Sequence, residues 1–456
     1  MLKSRYFSAV KMNGPILIHE AKIINEGQII EADVYLKNGR IECIGNKRPE
    51  SAYDVIDAKG LYLMPGIIDD QVHFREPGLT YKGDIASESR AGVAGGVTSF
   101  MEMPNTKPLT INHDRLEEKY AIASSNSYAN YSFYLGATDH NLDEIKRIEV
   151  DKVCGLKIFM GSSTGDLLVK DMRSLENIFR ECPTLIATHC EDEDLFQQKL
   201  EEYKIKFCDE IPAHCHEYIR SAEGCLLSSS KAVALAKKYD SRLHILHITT
   251  AEELGLFTNE LTLSEKSITS EVCVHHLYFD SHDYESLQNK IKCNPSIKAV
   301  HHRKALMKAL LDDHLDILAT DHAPHTLDEK TGPYLHAASG LPLIQHALNI
   351  MLSFYQEGII NLEKIVTKMC HHPAVCFKIK DRGYIREGYH ADLVLFDPNA
   401  SMLVNQNDLL YKCQWSPLEG AQLYGKIIMT LVNGYPVYYQ GKVMDAGHGQ
   451  RILFDR

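Results

Sequence analysis

The sequence predicts an α/β chain: a TIM-type (β/α)8 barrel with a small composite β-sandwich formed from both termini. Three observations carry the prediction. Apolar runs at 64–69, 97–103, 131–137, 153–159, 184–189, 243–247, 268–273 and 315–321 alternate with helical stretches, the grammar of repeated βα units, and eight strands close a barrel. Several runs end on a residue that binds metal or handles protons: His73, Lys157, His189, His247 and Asp321. Both ends of the chain are rich in β pattern, and each carries an Asn-Gly hairpin signal.

In chain order, 16–62 reads as short strands, ILIHEAKIIN and then IIEADVYLKNGRIECIG turning at Asn38-Gly39. The stretch 63–80, LMPGIIDDQVHFREPGLT, organises the rest. It is apolar through Ile67-Ile68 and then turns polar, as a barrel strand does at its catalytic mouth. Strand alternation would put Asp69, Gln71, His73 and Arg75 on one face and Asp70, Val72 and Phe74 on the other. An exposed edge strand is disfavoured, because Met64-Pro65-Gly66-Ile67-Ile68 shows no polar alternation. His244, three positions before His247, falls on the opposite strand face and reads as a hydrogen-bonded wall residue. Beyond 378 the β pattern returns in YIREGYHADLVLFDP and KIIMTLVNGYPVYYQGKV, turning at Asn433-Gly434. The expected division is 1–63 and 378–456 for the sandwich and 64–377 for the barrel. Two separate β appendages remain the other arrangement.

Composition narrows the function. A net charge of −12 and only short basic clusters (Lys47-Arg48, Lys237-Lys238) argue against nucleic acid as partner. Twelve cysteines with no CxxC pair read as reduced core residues of a cytoplasmic protein. No apolar run is long enough to span a membrane. The opening MLKSRYFSAVK lacks a signal-peptide core and reads as an unstructured extension.

Motifs along nearly the whole chain resemble the dihydroorotases of the amidohydrolase superfamily: MPGIID, HFREPG, AGGVTSFMEMPNTKP, GLKIFMGSSTG, THCED, LHILHITTAEE, VHHLYF, KCNP, ATDHAPH, SGLP, HHPA, IREGYHADLVLFD and WSPLEG. HFREPG together with MPNTKP is the specific part. The resemblance implies reversible cyclisation of N-carbamoyl-L-aspartate to L-dihydroorotate in pyrimidine biosynthesis, with one or two zinc ions per subunit bridged by a carboxylated Lys157. It assigns His73, His189, His247 and Asp321 as further metal ligands and Asp321 as the proton carrier. Arg75, Asn105, Asn294 and His325 fall at substrate-binding positions. It also implies a small-molecule substrate, a homo-oligomer (dimer) and association with aspartate transcarbamoylase.

The residues support that chemistry in their own right. Opening an unactivated cyclic amide needs a strong nucleophile, which zinc supplies by lowering the pKa of water to roughly 7. Histidine and carboxylate suit zinc. A buried lysine has a depressed pKa, so its neutral amine can capture carbon dioxide; the plain alternative is a salt-bridged core lysine. Arg75 offers a planar fork for a carboxylate, against an alternative surface pair with Glu76. The chain departs from the family where Gln71-Val72-His73 replaces His-x-His, so Gln71 reads either as a weak metal ligand or as a residue that orients one. Val274, Ser296 and Lys298 also stand where prolines or an arginine are usual, and His390 replaces an aspartate on the sandwich. Two other functions compete: an allantoinase or hydantoinase, which would alter the Arg75 and Asn105 clamp, and a silent scaffold subunit of aspartate transcarbamoylase, which would lose several ligands.

Overall fold

The structure is a computed structural model that describes residues 14–45, 54–162, 167–444 and 447–456; the opening extension and the Lys47-Arg48 pair lie outside the described residues. Five strands come from the start of the chain: β1 (Ile16–Asn25), β2 (Gln28–Lys37), β3 (Arg40–Ile44), β4 (Asp54–Asp57) and β5 (Tyr62–Pro65). The barrel follows as β6 (Ile67–Val72), β7 (Val97–Glu102), β8 (Asn130–Phe133), β9 (Leu135–Gly136), β10 (Leu156–Phe159), β11 (Ile186–His189), β12 (Leu243–Ile245), β13 (Ile268–Cys273) and β14 (Ile317–Ala319). The chain closes with β15 (Leu393–Leu403), β16 (Gln422–Val432), β17 (Tyr435–Tyr439) and β18 (Lys442–Val443).

Both termini form one nine-stranded sheet, ordered β18-β17-β16-β15-β5-β1-β2-β3 with β4 also paired to β1. The seam between the two halves is the antiparallel pairing of β5 with β15, Met64 opposite Val394. The sheet bends where β1 slips register between Ile18 and Ala21, with Glu20 at φ 55°. It thereby encloses a core of its own, in which Ile18, Val34, Leu36 and Ile41 join Leu393, Leu395, Met429 and Leu431. Asn38-Gly39 and Asn433-Gly434 take φ of 53°/78° and 52°/79°, the left-handed pair that a two-residue type I′ turn needs. His390 lies here beside Arg40, 3.3 Å away.

Each stretch expected as a barrel strand contains one; β8 and β9 are two pieces of the third, interrupted at Tyr134. All barrel neighbours pair in parallel, and a bridge between Val72 and His322 joins the first strand to the last. Ile68, Met101, Tyr134, Cys154, Leu185, Ala187 and Ile317 share the apolar cluster in which Ile452 and Phe454 also sit. Residues 447–456 thus leave the terminal sheet and return to the barrel, where Arg456 donates to the carbonyls of Val153, Cys154 and Phe377. Among the described residues, no helix is long and apolar enough to cross a membrane.

The strict alternation expected for 69–75 does not hold. Asp69 pairs with Phe100 and Val72 with Glu102, so β6 carries one extra residue against β7, a bulge that reorients the side chains around it. Asp70 therefore leaves the company of Val72 and Phe74, and its Oδ2 lies 3.3 Å from Nε2 of His244 on β12. Asp69 turns to β14 instead, accepting from the Thr320 hydroxyl at 2.6 Å. His244 is the hydrogen-bonded wall residue expected, with Nδ1 2.8 Å from the Thr269 hydroxyl.

Candidate active site

The carboxyl ends of the barrel strands open onto a cavity of about 190 Å³. All ten residues singled out from the sequence line it: Gln71, His73 and Arg75 beyond β6, Asn105 beyond β7, Lys157 on β10, His189 on β11, His247 beyond β12, Asn294, and Asp321 and His325 beyond β14. Three of them hold left-handed backbone, Arg75 at φ 71°, His247 at 43° and Asp321 at 45°. Such strain in ordinary residues persists where the surroundings enforce it, and it clusters at functional sites.

The imidazoles of His189 and His247 meet in the cavity, Nδ1 to Nε2 at 2.9 Å. Burial lowers the pKa of both, so they are neutral lone-pair donors at pH 7. Nε2 of His189 is fixed by Glu191 at 2.8 Å, and Glu191 in turn by Arg220 at 2.7 Å. Nδ1 of His247 is buried with no partner among the described residues.

Lys157 is fully buried, and burial pushes its pKa down to about 8. Among the described residues no carboxylate lies within ion-pair distance of its Nζ, which faces the Phe159 ring 4.6 Å away. The salt-bridged core lysine is therefore not what this structure contains. Asp321 gathers the β6 residues: its Oδ1 lies 3.2 Å from Nε2 of His73 and accepts from Nε2 of Gln71 at 3.1 Å. Burial raises the Asp321 pKa, but the hydrogen bond and charge of His73 outweigh it and hold the carboxyl below its ordinary value.

Arg75 is buried rather than paired with Glu76, whose carboxylate instead accepts from the Ile85 amide. Its Nε donates to the Pro324 carbonyl at 3.0 Å, which aims the guanidinium along the cavity wall. His325 is less free than the sequence implies. Nε2 lies 3.1 Å from the Ser339 carbonyl, Nδ1 lies 3.0 Å from Nζ of Lys82, and burial followed by the Arg75 charge presses its pKa to about 3. Asn294 donates to the Ser162 hydroxyl at 2.7 Å, and its Oδ1 has no partner among the described residues.

A set of three imidazoles, one carboxylate and an amine without an acid partner, with an orphaned ring nitrogen buried among them, has the donor chemistry zinc takes. The amidohydrolase family model matches residues 62–437. The chain belongs to the amidohydrolase family. This amidohydrolase is similar to a Pyrococcus abyssi protein named dihydroorotase, at 30% identity over 96% of this chain and 98% of that one. A Methanosarcina mazei protein of the same name is 32% identical over 89% of this chain and 90% of its own. In fold it matches an L-hydantoinase (dihydropyrimidinase) from Arthrobacter aurescens, with a TM-score of 0.91 and 24% identity over 96% of this chain and 99% of that one.

The sequence reading of the amidohydrolase missed the supports. Glu191 and Arg220 hold His189, and Lys82 and Ser339 hold His325. Glu191, two residues after His189 in THCED, was the one legible from spacing; Arg220 and Lys82 come from separate segments with no local mark.

Proposed function

We propose that this amidohydrolase is a dihydroorotase, which interconverts N-carbamoyl-L-aspartate and L-dihydroorotate. The observation that carries the reading is a buried arginine, Arg75, in the same cavity as His73, Lys157, His189, His247 and Asp321. A ring-opening amidohydrolase needs the latter group; a fixed cation beside it is needed only when the substrate bears a carboxylate. Near-full-length likeness to proteins of that name supports it.

His73, His189, His247, Asp321 and a carboxylated Lys157 would hold one or two zinc ions, which would supply a water of lowered pKa and polarise the amide carbonyl. Arg75 binds the ring carboxylate and sets which face of the ring meets Asp321. Asp321 takes the proton released as the water oxygen bonds to the ring carbonyl carbon, and gives it to the ring nitrogen as the C–N bond breaks. In cyclisation the same carboxylate accepts the ureido proton and returns it to the leaving oxygen. Asn105 and Asn294 contribute amide groups to the substrate side.

The same reading divides the chain at 63/64 and 377/378 into terminal sheet and catalytic barrel. It makes the protein a cytoplasmic homodimer that associates with aspartate transcarbamoylase. Cytoplasmic placement rests on its twelve cysteines, among which no CxxC pair occurs; assembly is read by light scattering with and without the transcarbamoylase.

Zinc content measured alongside turnover of dihydroorotate, carbamoyl aspartate, hydantoin and dihydrouracil tests the proposal. Turnover confined to the first two is the expected result. Turnover of only the uncharged rings makes the protein a hydantoinase, and a folded protein inert towards all four makes it a scaffold.

A further inference from the structure

Behind the catalytic cavity, at the end of β13, lies a cluster of soft donors that the mechanism does not use. Cys273 Sγ and ring nitrogens of His275 and His276 all lie within 4.8 Å of one another, and each residue is buried. Their hydrogen bonding is incomplete. Among the described residues, both ring nitrogens of His275 and Nδ1 of His276 are buried without a partner; the Thr320 carbonyl faces His275 outside hydrogen-bond geometry, and Nε2 of His276 is the one engaged, with the Pro295 carbonyl at 3.2 Å. A buried polar group left unpaired costs about 1–3 kcal/mol. Three such nitrogens on adjoining residues make a poor core and a good ligand set.

Acidic side chains crowd the cysteine, and the amines of Lys157 and Lys298 also face the cluster. Glu271, Asp321, Asp69 and Asp70 all surround Cys273, and burial together with these carboxylates keeps its thiol firmly protonated. A dication reverses that balance, because a coordinating thiol loses its proton and the surrounding acids become attractive. Gln71 closes the arrangement. Its Nε2 faces Asp321, and its Oε1 lies 3.8 Å from Cys273 Sγ, so the amide spans the catalytic aspartate and the cysteine.

We propose that Cys273, His275 and His276 form a zinc site of their own, with the Gln71 amide oxygen as fourth ligand. Tetrahedral zinc with bonds of about 2.0–2.3 Å sets ligand atoms roughly 3.3–3.8 Å apart. The ligand atoms of Cys273, His275 and His276, within 4.8 Å of one another, would draw together to that spacing on binding. Zinc enters as the dication and the Cys273 proton leaves to solvent, so the site is stronger at higher pH. The proposal gives the glutamine at position 71 a purpose that a weakened catalytic ligand lacks. It does not depend on the dihydroorotase reading.

Cobalt(II) reports thiolate ligation directly. The full chain is stripped with chelator and titrated with cobalt while near-ultraviolet absorption and bound equivalents are followed. The site requires a thiolate-to-cobalt charge-transfer band in the native sequence. It requires that C273S lose the band and one equivalent, and that H275Q need at least roughly tenfold more cobalt to reach the same absorbance, as losing a ligand weakens binding no less than losing a ligand's support. Cobalt binding by the native chain without that band overturns the site, and this measurement needs no variant to fold. An unchanged band and count in C273S overturn it as well. Dihydroorotate turnover of the zinc-loaded protein is scored separately: turnover without the band removes this site and keeps the catalytic reading, and the band without turnover does the reverse.

Discussion

Nδ1 of His73 lies 2.7 Å from Oδ1 of Asn105. An amide oxygen only accepts, so Nδ1 donates to it, and Nε2 lies 3.2 Å from the Asp321 carboxylate. On the proposed reading, Asn105 orients a metal ligand as well as facing the substrate. N105A should weaken zinc held through His73 by about 10- to 100-fold, the usual cost of removing a ligand's hydrogen-bond partner. Calorimetric zinc titration of stripped protein reads it, and unchanged affinity would assign Asn105 to substrate alone.

D321N should abolish turnover in both directions while leaving a folded protein, because an amide cannot carry the proton. The expected loss is on the order of 10² to 10⁴ in kcat. Activity within tenfold of native, with a normal circular dichroism spectrum, would remove Asp321 from the chemistry.

Arg75 separates recognition from catalysis. R75K keeps the charge but loses the fork, and the charged hydrogen bonds lost are worth about 1.5–3 kcal/mol, or roughly 10- to 100-fold in kcat/KM for dihydroorotate. An uncharged cyclic amide should be little affected. Equal losses on both substrates would mean that Arg75, held by Pro324, shapes the loop rather than the substrate.

Far from the site, Asp313 sets a pH dependence. Burial raises its pKa, but hydrogen bonds and charge from Lys368 at 2.8 Å and Lys364 at 3.0 Å outweigh this and hold it at about 2, below its ordinary 3.8. The folded value is depressed, so the stabilisation is fully present above pH 3.8 and is lost as pH falls towards 2. Half of the Asp313 side chain is exposed, so the contribution is about 1 kcal/mol after screening. D313N should be less stable than native by that amount at pH 7 in urea unfolding, and the gap should close between pH 4 and pH 2. A gap that stays constant with pH would show the loss is not electrostatic.

The barrel was legible because its strands are continuous apolar runs ending in chemistry, and a residue at a strand's carboxyl end has only one mouth to face. Hence His189, His247 and Asp321 meet although they come from separate strands. The β6 bulge was not legible, since an extra residue shows only against the partner strand's register, and Asp70 was misplaced with it. Cys273 likewise read as a core cysteine, and nothing local reveals that the ring nitrogens of His275 beside it lack partners among the described residues. The return of Ile452 and Phe454 to the barrel depended on where the terminal sheet released the chain.

The seam of the terminal sheet has a consequence for how the protein is made. β5 lies between β1 and β15, so one edge of the N-terminal strands has no neighbour until residues 393–403 leave the ribosome. Gly39 and Gly434 meet at the same junction, where a Cβ on Gly434 would lie 2.8 Å from the Gly39 Cα. Strands translated before the barrel are thus completed after it, and throughout synthesis of the barrel they present an open β-edge. Nascent chains stalled short of β15 would carry that edge into the cell, a natural target for chaperones that hold strands apart.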